Sequence, residues 1–213
     1  MKERSVVGTV LKAASLGLVA YMGIIGTQRG PYAQAGAATK EPISSDGERP
    51  FSLIDSSGAT VTDRAYRGNW LIVFFGFTHC GDTCPTALFK LSKALDVLGK
   101  QAANVRVAFI TIDPERDSPQ ALKEYLKAFN PQFAGLTGSP EAIRVTERKF
   151  RVYADKQAAK ANGDYGMSHS ATFYVLDPSG QFRRQMSAES SVGDLAASLR
   201  SALKGDAESG VTP

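Results

Sequence analysis

The sequence predicts an α/β domain in which a central mixed sheet is flanked by helices, with an N-terminal β-hairpin as an extension. Two continuous apolar runs, residues 70–77 and 105–112, have the pattern of strands buried on both faces. Apolar residues at helical spacing follow the first run, and a hairpin and a helix close the domain. A βαβ unit followed by ββα is the order of a thioredoxin-like sandwich.

The first half of the domain begins with the hairpin. Short strands are predicted at residues 51–55 and 60–62, on either side of the turn formers at 56–58. After the strand at 70–77, the loop 78–85 leads into a helix, because leucines recur there at helical spacing and a proline stands in its first turn. The leucines are Leu88, Leu91, Leu95 and Leu98, and the proline is Pro85.

The second half alternates in the same way. The strand at 105–112 ends at the proline-bounded segment 113–119, and the turn at 177–180 joins the last two strands as a hairpin. Further strands are predicted at 133–136, 171–176 and 181–186, and further helices at 120–129, 140–152 and 192–203.

Residues 1–28 are predicted to be a membrane anchor or a signal segment. As a helix, residues 5–27, with Lys12 as their single charge, would span about 34 Å, against a hydrocarbon core of about 30 Å. We favour an anchor, and the positive-inside rule then places the rest of the chain outside the cytoplasm, in the periplasm of a bacterium. The alternative is secretion to the periplasm after cleavage at the A-x-A sequence of residues 33–35.

Polar segments without an apolar period flank the folded part of the chain. Residues 29–47 are predicted to be a flexible tether, residues 48–204 the folded domain and residues 205–213 a disordered tail. The formal net charge is +4, but the first 35 residues hold four basic side chains and one acidic one. Most of the excess positive charge therefore lies in these 35 residues and not in the folded domain. Nucleic-acid binding, which needs a concentrated basic face, is therefore not predicted.

The possible chemistry is limited by a count of two Cys and two His in the whole chain. This count excludes a disulfide-rich scaffold and a zinc site assembled from several Cys and His motifs. Soft-metal or thiol chemistry must therefore come from Cys80, Cys84, His79 and His169.

Cys80 and Cys84 lie where the first buried strand ends and its helix begins. If the helix starts early, the C-x-x-x-C spacing puts both side chains on one face, where the helix N-terminus favours thiolates.

Three interpretations of this cysteine pair compete. A structural disulfide would close only a short loop, worth about 2 kcal/mol. A thiol–disulfide oxidoreductase suits an oxidising compartment, although the familiar redox motif is C-x-x-C. A metal site needs a third ligand.

His169 is the best candidate for that third ligand. It precedes the strand at 171–176, and in a thioredoxin-like sheet the loop entering that strand lies beside the end of the first buried strand. Two thiolates and one imidazole suit Cu(I) and tolerate Cu(II). His79 adjoins Cys80, but its side chain should point elsewhere, which predicts a supporting or structural role.

These motifs together resemble those of the SCO/SenC family. The resemblance covers about residues 45–203 and is carried by GFTHCGDTCP at 76–85, DPERD at 113–117, and His169 before TFYVLDP at 172–178. It implies a membrane-tethered, thioredoxin-fold copper protein that helps to assemble the dinuclear copper centre of cytochrome c oxidase. It also implies copper ligation by Cys80, Cys84 and His169. The implied partner is the copper-acceptor subunit of the oxidase or another copper chaperone.

Two positions depart from the family pattern. Gly81 stands where members commonly have proline, and Ser168 stands where they commonly have an acid. Neither change removes a ligand. The DPERD segment is interpreted as a proline-bounded loop and helix cap, or as part of a face that docks the partner. The candidates for supporting the site or facing a partner are His79, Asp82, Asp113, Arg116 and Asp117.

Three functions remain open from the residues. A copper metallochaperone would use Cys80, Cys84 and His169. A thiol–disulfide reductase acting on the acceptor's copper-binding cysteines would use Cys80 and Cys84 as its redox pair and would not need His169. A copper or redox sensor would use the same residues. A peroxidase is disfavoured, because no loop with proline and threonine precedes a single Cys.

Overall fold

The computed structural model describes residues 47, 49–161 and 163–204. The predicted anchor or signal segment at 1–28, nearly all of the tether and the tail at 205–213 lie outside the described residues. Within the described part, no helix is both long and apolar enough to cross a membrane.

Nine strands and four helices form the described part of the chain. The strands are β1 (Ser52–Asp55), β2 (Thr60–Thr62), β3 (Trp70–Gly76), β4 (Val105–Thr111), β5 (Ala134–Thr137), β6 (Ala154–Lys156), β7 (Met167–His169), β8 (Thr172–Leu176) and β9 (Phe182–Ser187). The helices are α1 (Thr83–Leu98), α2 (Pro119–Lys127), α3 (Pro140–Phe150) and α4 (Val192–Leu203), with 3-10 turns at Asp63–Tyr66 and Gly99–Ala102.

Seven of the strands form one mixed sheet in the order β2-β1-β5-β4-β3-β8-β9. The pairs β3·β4 and β4·β5 are parallel, whereas β8 and β9 continue the sheet antiparallel to β3, and the β1–β2 hairpin joins its other edge through β5. The predicted thioredoxin-like fold, mixed sheet and hairpin extension are therefore confirmed.

The two apolar runs occupy the centre of this sheet, which explains why they lack polar alternation. In β3, Ile72, Val73, Phe74 and Phe75 have no exposed surface. On one face, Phe74 and Phe109 pack together and Phe109 contacts Tyr125 of α2. On the other face, the rings of Phe75, Tyr174 and Phe150 of α3 meet at 5.3–6.0 Å. Continuous apolar sequence is thus the consequence of helices on both faces.

Serine begins three of the four helices. Ser118, Ser139 and Ser191 each accept a hydrogen bond from a first-turn backbone N–H, and a proline follows the first two. The cap of α2 is therefore Ser118, so the prediction that the DPERD segment itself caps this helix is wrong. Helix α1 is the exception, because Asp82 at its N-cap position makes no side-chain capping bond.

The sequence did not predict the small hairpin of β6 and β7. It forms a separate two-stranded sheet in which Ala154 faces His169, Asp155 faces Ser168 and Lys156 faces Met167. Its strands are three residues long, and none of its six residues is fully buried, so no apolar period marks them. His169 is the last residue of β7, and the hairpin places it beside the end of the main sheet.

Candidate metal centre

The cysteine pair lies at the junction between β3 and α1. Helix α1 starts at Thr83, so Cys80 lies in the loop before it. The two cysteines therefore do not share a helix face, as they would have done if the helix had begun at Cys80. Instead, the Cys80 Sγ accepts a hydrogen bond from the backbone N–H of Cys84 at 3.3 Å. The first N–H groups of a helix have no partner within it. Where Asp82 fails to cap, the cysteine sulfur serves as the acceptor.

His169 reaches the sulfurs from the other side of the strand end. Strand β8 runs antiparallel to β3, so the residues that enter β8 lie beside the end of β3, as predicted. The His169 Nε2 lies 3.4 Å from the Cys84 Sγ, although 85 positions separate the two residues.

The orientation of the imidazole follows from its second nitrogen. The His169 Nδ1 lies 3.2 Å from the carbonyl oxygen of Ser170, and a carbonyl can only accept, so Nδ1 carries the proton. Its Nε2 therefore turns a lone pair towards the sulfurs. The rings of Phe74 and Phe77 contact the imidazole near-perpendicularly at 6.4 and 6.0 Å. The two ring contacts and the Ser170 carbonyl together hold the imidazole with its Nε2 towards the sulfurs, an orientation in which it could bind a metal.

The ligand atoms of Cys80, Cys84 and His169 all lie within 4.8 Å of one another. Among the described residues, no other group of three His, Cys, Asp or Glu side chains is so placed. Two sulfurs and an imidazole form a soft donor set, of the kind that selects Cu(I) over harder cations. The residues present therefore fit a single copper ion.

The two sulfurs differ in ionisation and access. A hydrogen bond from the Cys84 thiol lowers the pKa of Cys80 to about 4, with contributions from backbone N–H groups. The same hydrogen bond and burial raise the pKa of Cys84. Cys84 has no exposed surface, whereas Cys80 is partly exposed. The reduced pair is therefore an accessible thiolate beside a buried thiol.

Alkylation of Cys80 in the reduced, metal-free chain is expected to be independent of pH above about pH 6 and to fall with a midpoint near pH 4. The thiolate is the reacting species, and its pKa in the folded chain lies well below the value of about 8.5 for an ordinary thiol. Iodoacetamide rates from about pH 3 to about pH 9, with the adduct located by peptide mass, would measure the midpoint. A midpoint above pH 7 would contradict this ionisation.

His79 and Asp82 lie outside the cluster. The His79 Nδ1 is 3.0 Å from the Thr78 Oγ1, and its side chain is 55% exposed. Asp82 is exposed and accepts a hydrogen bond from the Thr86 hydroxyl at 3.1 Å. His79 is not one of the three residues whose ligand atoms converge, as its position beside Cys80 predicted.

Asp117 supports the loop that carries Cys80. Its carboxylate has no exposed surface and accepts three hydrogen bonds, from the Thr78 backbone N–H at 3.0 Å, the Thr78 hydroxyl at 2.6 Å and the Thr111 hydroxyl at 2.7 Å. The last acid of the DPERD segment thus joins the ends of β3 and β4.

Asp113 and Arg116 contact the segment just before β7, the strand that ends in His169. Arg116 donates through Nε to the Asp113 carboxylate and through Nη1 to the carbonyl oxygen of Tyr165. Tyr165 stands two positions before β7 and was not singled out by the sequence, because a tyrosine in a polar loop carries no pattern of its own.

Comparisons with known proteins bear on this geometry. The family model described as SCO1/SenC matches residues 39–204. The chain belongs to the SCO1/SenC family. A curated relative, Protein sco1 of Schizosaccharomyces pombe, is 44% identical over 154 residues, which are 71% of this chain and 59% of that protein. Across three curated relatives, the chain spans 40% to 59% of their length.

Solved structures of the SCO1/SenC family share this fold. The structure of Arabidopsis thaliana ScoI with copper bound is 39% identical, covers 73% of this chain and 97% of its own, and gives a TM-score of 0.69. The structure of Bradyrhizobium japonicum ScoI with copper bound is 41% identical, covers 73% and 98%, and gives a TM-score of 0.66. The curated relatives include mitochondrial and bacterial proteins.

Gly81 and Ser168, the two positions singled out by the sequence as unusual, adjoin Cys80 and His169. A Cβ on Gly81 would meet nothing within 4 Å, so the absence of a side chain there is not required by packing. The Ser168 hydroxyl accepts a hydrogen bond from the Gln157 amide at 2.9 Å, which ties β7 to the residue that follows β6.

Gly76→Ala is expected to lower the free energy of unfolding by about 1–3 kcal/mol, because the core there has no room. The added Cβ would lie 2.8 Å from the Phe109 ring and 2.9 Å from the Cys84 Sγ, so one of them must move. Urea denaturation of the reduced chain measures the change. The control is Gly81→Ala, whose Cβ has open space, and equal stabilities for the two variants would refute the steric argument.

Proposed function

We propose that this chain is a copper metallochaperone in which Cys80, Cys84 and His169 hold one copper ion as cargo. The observation that carries the proposal is the approach of the three ligand atoms to within 4.8 Å, with the imidazole lone pair turned towards the sulfurs. The copper-bound structures of the Arabidopsis and Bradyrhizobium relatives support it. Binding ionises Cys84, so uptake releases its proton.

The exposure of the ligands suggests how copper leaves. A thiolate of the acceptor replaces Cys80 first, because Cys80 is the accessible sulfur, and the buried Cys84 is released last. The ion passes by ligand exchange without a change of oxidation state. The acceptor is the copper-binding subunit of cytochrome c oxidase, whose dinuclear centre is filled or prepared in this way, or another copper chaperone.

The proposed cellular location of the domain follows from the N-terminal segment. Residues 1–28 anchor the chain in the inner membrane, residues 29–47 act as the tether, and the domain at 48–204 works in the periplasm or the equivalent mitochondrial space. The alternative is release after cleavage. The mass of the mature N-terminus distinguishes the two.

The test is transfer of copper. The purified chain, loaded with one equivalent of Cu(I), is mixed with a metal-free acceptor domain, and the copper on each protein is measured after separation. We expect copper on the acceptor with the wild type and with His79→Ala, and loss of loading with His169→Ala. A His169→Ala chain that loads and transfers like the wild type would refute the proposal. His79→Ala is matched because it removes the other imidazole, beside Cys80 but outside the cluster.

The asymmetry of the two sulfurs favours a second candidate, a thiol–disulfide reductase. The Cys80 thiolate would attack a disulfide of the acceptor, forming a mixed disulfide and releasing one acceptor thiolate. Cys84 would then lose its proton and attack the Cys80 sulfur, which releases the second acceptor thiol and leaves the Cys80–Cys84 pair oxidised. This route does not use His169. Full restoration of oxidase activity by His169→Ala in a deletion strain would favour the reductase, and failure would favour copper delivery.

A further inference from the structure

We propose that Tyr165 positions His169, by fixing the β6–β7 hairpin against the DPERD segment. The inference rests on the proposed function, in which His169 is a copper ligand, and it adds a residue that is not itself part of the ligand cluster. Three sets of contacts surround the Tyr165 side chain and its backbone.

The first set is the approach of two cations to the Tyr165 ring. The Arg116 guanidinium carbon lies 3.6 Å from the ring centroid, and the Lys156 Nζ lies 3.9 Å from it. Cations at this distance are attracted by the ring's quadrupole. Arg116 belongs to the DPERD segment and Lys156 ends β6, so the ring joins two parts of the chain. Lys156 also pairs with Glu115 at 2.7 Å, which closes the same junction.

The second set is hydrogen bonds at both ends of the residue. The Tyr165 hydroxyl donates to the Asp113 Oδ1 at 2.9 Å, and the Tyr165 carbonyl oxygen accepts from the Arg116 Nη1 at 3.1 Å. Asp113 is itself buried, and its other oxygen accepts from the Arg116 Nε. The side chain and the backbone of Tyr165 are therefore both held by the segment 113–117.

The third set connects Tyr165 to the imidazole. Its neighbour Gly166 accepts a backbone hydrogen bond from Gln157 at 2.9 Å, and the β6–β7 ladder runs from there to the pair of Ala154 and His169. In addition, Arg116 lies 5.9 Å from the centroid of the Phe77 ring, which packs edge-on against the His169 ring.

An isolated two-stranded hairpin is marginal in water, so this one depends on contacts outside its own ladder. Tyr165 supplies such contacts at the end of the hairpin where its two strands are joined by the intervening loop. Removing them is expected to loosen the strand that ends in His169 while leaving the main sheet intact.

A metal-free measurement tests the hairpin. In Tyr165→Leu, amide hydrogens of the β6–β7 ladder are expected to exchange about tenfold faster than in the wild type, because two cation contacts are lost, whereas β3 and β4 amides keep their rates. Tyr165→Phe keeps the ring and loses the bond to Asp113, so its rates should lie between. The control is Tyr153→Leu, a 61% exposed tyrosine just before β6, which should not change them. Unchanged β6–β7 rates in Tyr165→Leu would overturn the proposal.

A copper measurement tests the route through His169. By competition with a Cu(I) chelator, Tyr165→Leu is expected to bind about tenfold more weakly than the wild type, in the range typical of residues that orient metal ligands. In a His169→Ala background, the same change should cost nothing further. An equal loss in both backgrounds would overturn the action through His169. If the wild type bound no Cu(I), or His169→Ala bound it normally, the proposed function would fail instead, and the exchange experiment would still decide whether Tyr165 fixes the hairpin.

Discussion

Cys80→Ser is expected to lower the Cu(I) affinity of the reduced chain by about a hundredfold or more. Structural zinc sites with four ligands bind with roughly 10–16 kcal/mol, about 3 kcal/mol per ligand, and each 1.4 kcal/mol is tenfold in affinity. The serine hydroxyl does not ionise near neutral pH, so the accessible thiolate is lost without a large change of shape. Cys80 is only partly buried and lies outside α1, so the fold should persist.

The measurement is a Cu(I) titration against a competing chelator, under reducing conditions, with the whole chain. His79→Ala serves as the control, because it alters the adjacent side chain and leaves the three ligand atoms in place. Far-ultraviolet circular dichroism reports that both variants are folded. A Cys80→Ser chain with wild-type affinity would remove Cys80 from the centre.

Asp117→Ala is expected to lower the free energy of unfolding by about 3–5 kcal/mol, since one buried and two partly buried donors lose their acceptor. Two of these donors belong to Thr78 and one to Thr111, and the carboxylate that satisfies them has no exposed surface. Because water cannot replace the carboxylate without opening the core, the cost exceeds that of an ordinary surface change.

Urea denaturation of the reduced, metal-free chain measures this loss. Glu115→Ala is the control from the same segment, because its 61% exposed carboxylate forms a surface pair with Lys156, worth about 0–1 kcal/mol. Asp117→Asn retains one acceptor oxygen and should fall between the two. If Asp117→Ala cost no more than Glu115→Ala, the carboxylate would not be what holds the loop.

The fold could be predicted because its central strands carry a strong local signal. The runs at 70–77 and 105–112 are apolar throughout, and helices cover both faces of the sheet that they form. The starts of α2 and α3 also carry a local signal, since serine followed by proline stands at each. The boundaries at 1–28, 29–47, 48–204 and 205–213 stay predictions.

The grouping of Cys80, Cys84 and His169 was also within reach of the sequence, because there were few candidates. With two Cys and two His in the chain, the choice of a third ligand lay between His79 and His169, and the topology favoured the residue that enters the strand beside β3. The helical face assumed for the two cysteines was not realised, because the start of α1 depends on how the loop packs and not on spacing alone.

By itself, therefore, the sequence determined the α/β order, the place of Cys80 and Cys84 at a strand–helix junction, and His169 as their companion. Only the tertiary structure decided which imidazole nitrogen faces the sulfurs, which sulfur is buried, and which hydrogen bonds Asp117 and Tyr165 make with distant parts of the chain. The physical reason is the separation along the chain over which each kind of interaction acts. Apolar periodicity records burial within one element, whereas a hydrogen bond between residues 39 or 52 positions apart depends on the packing of several elements at once.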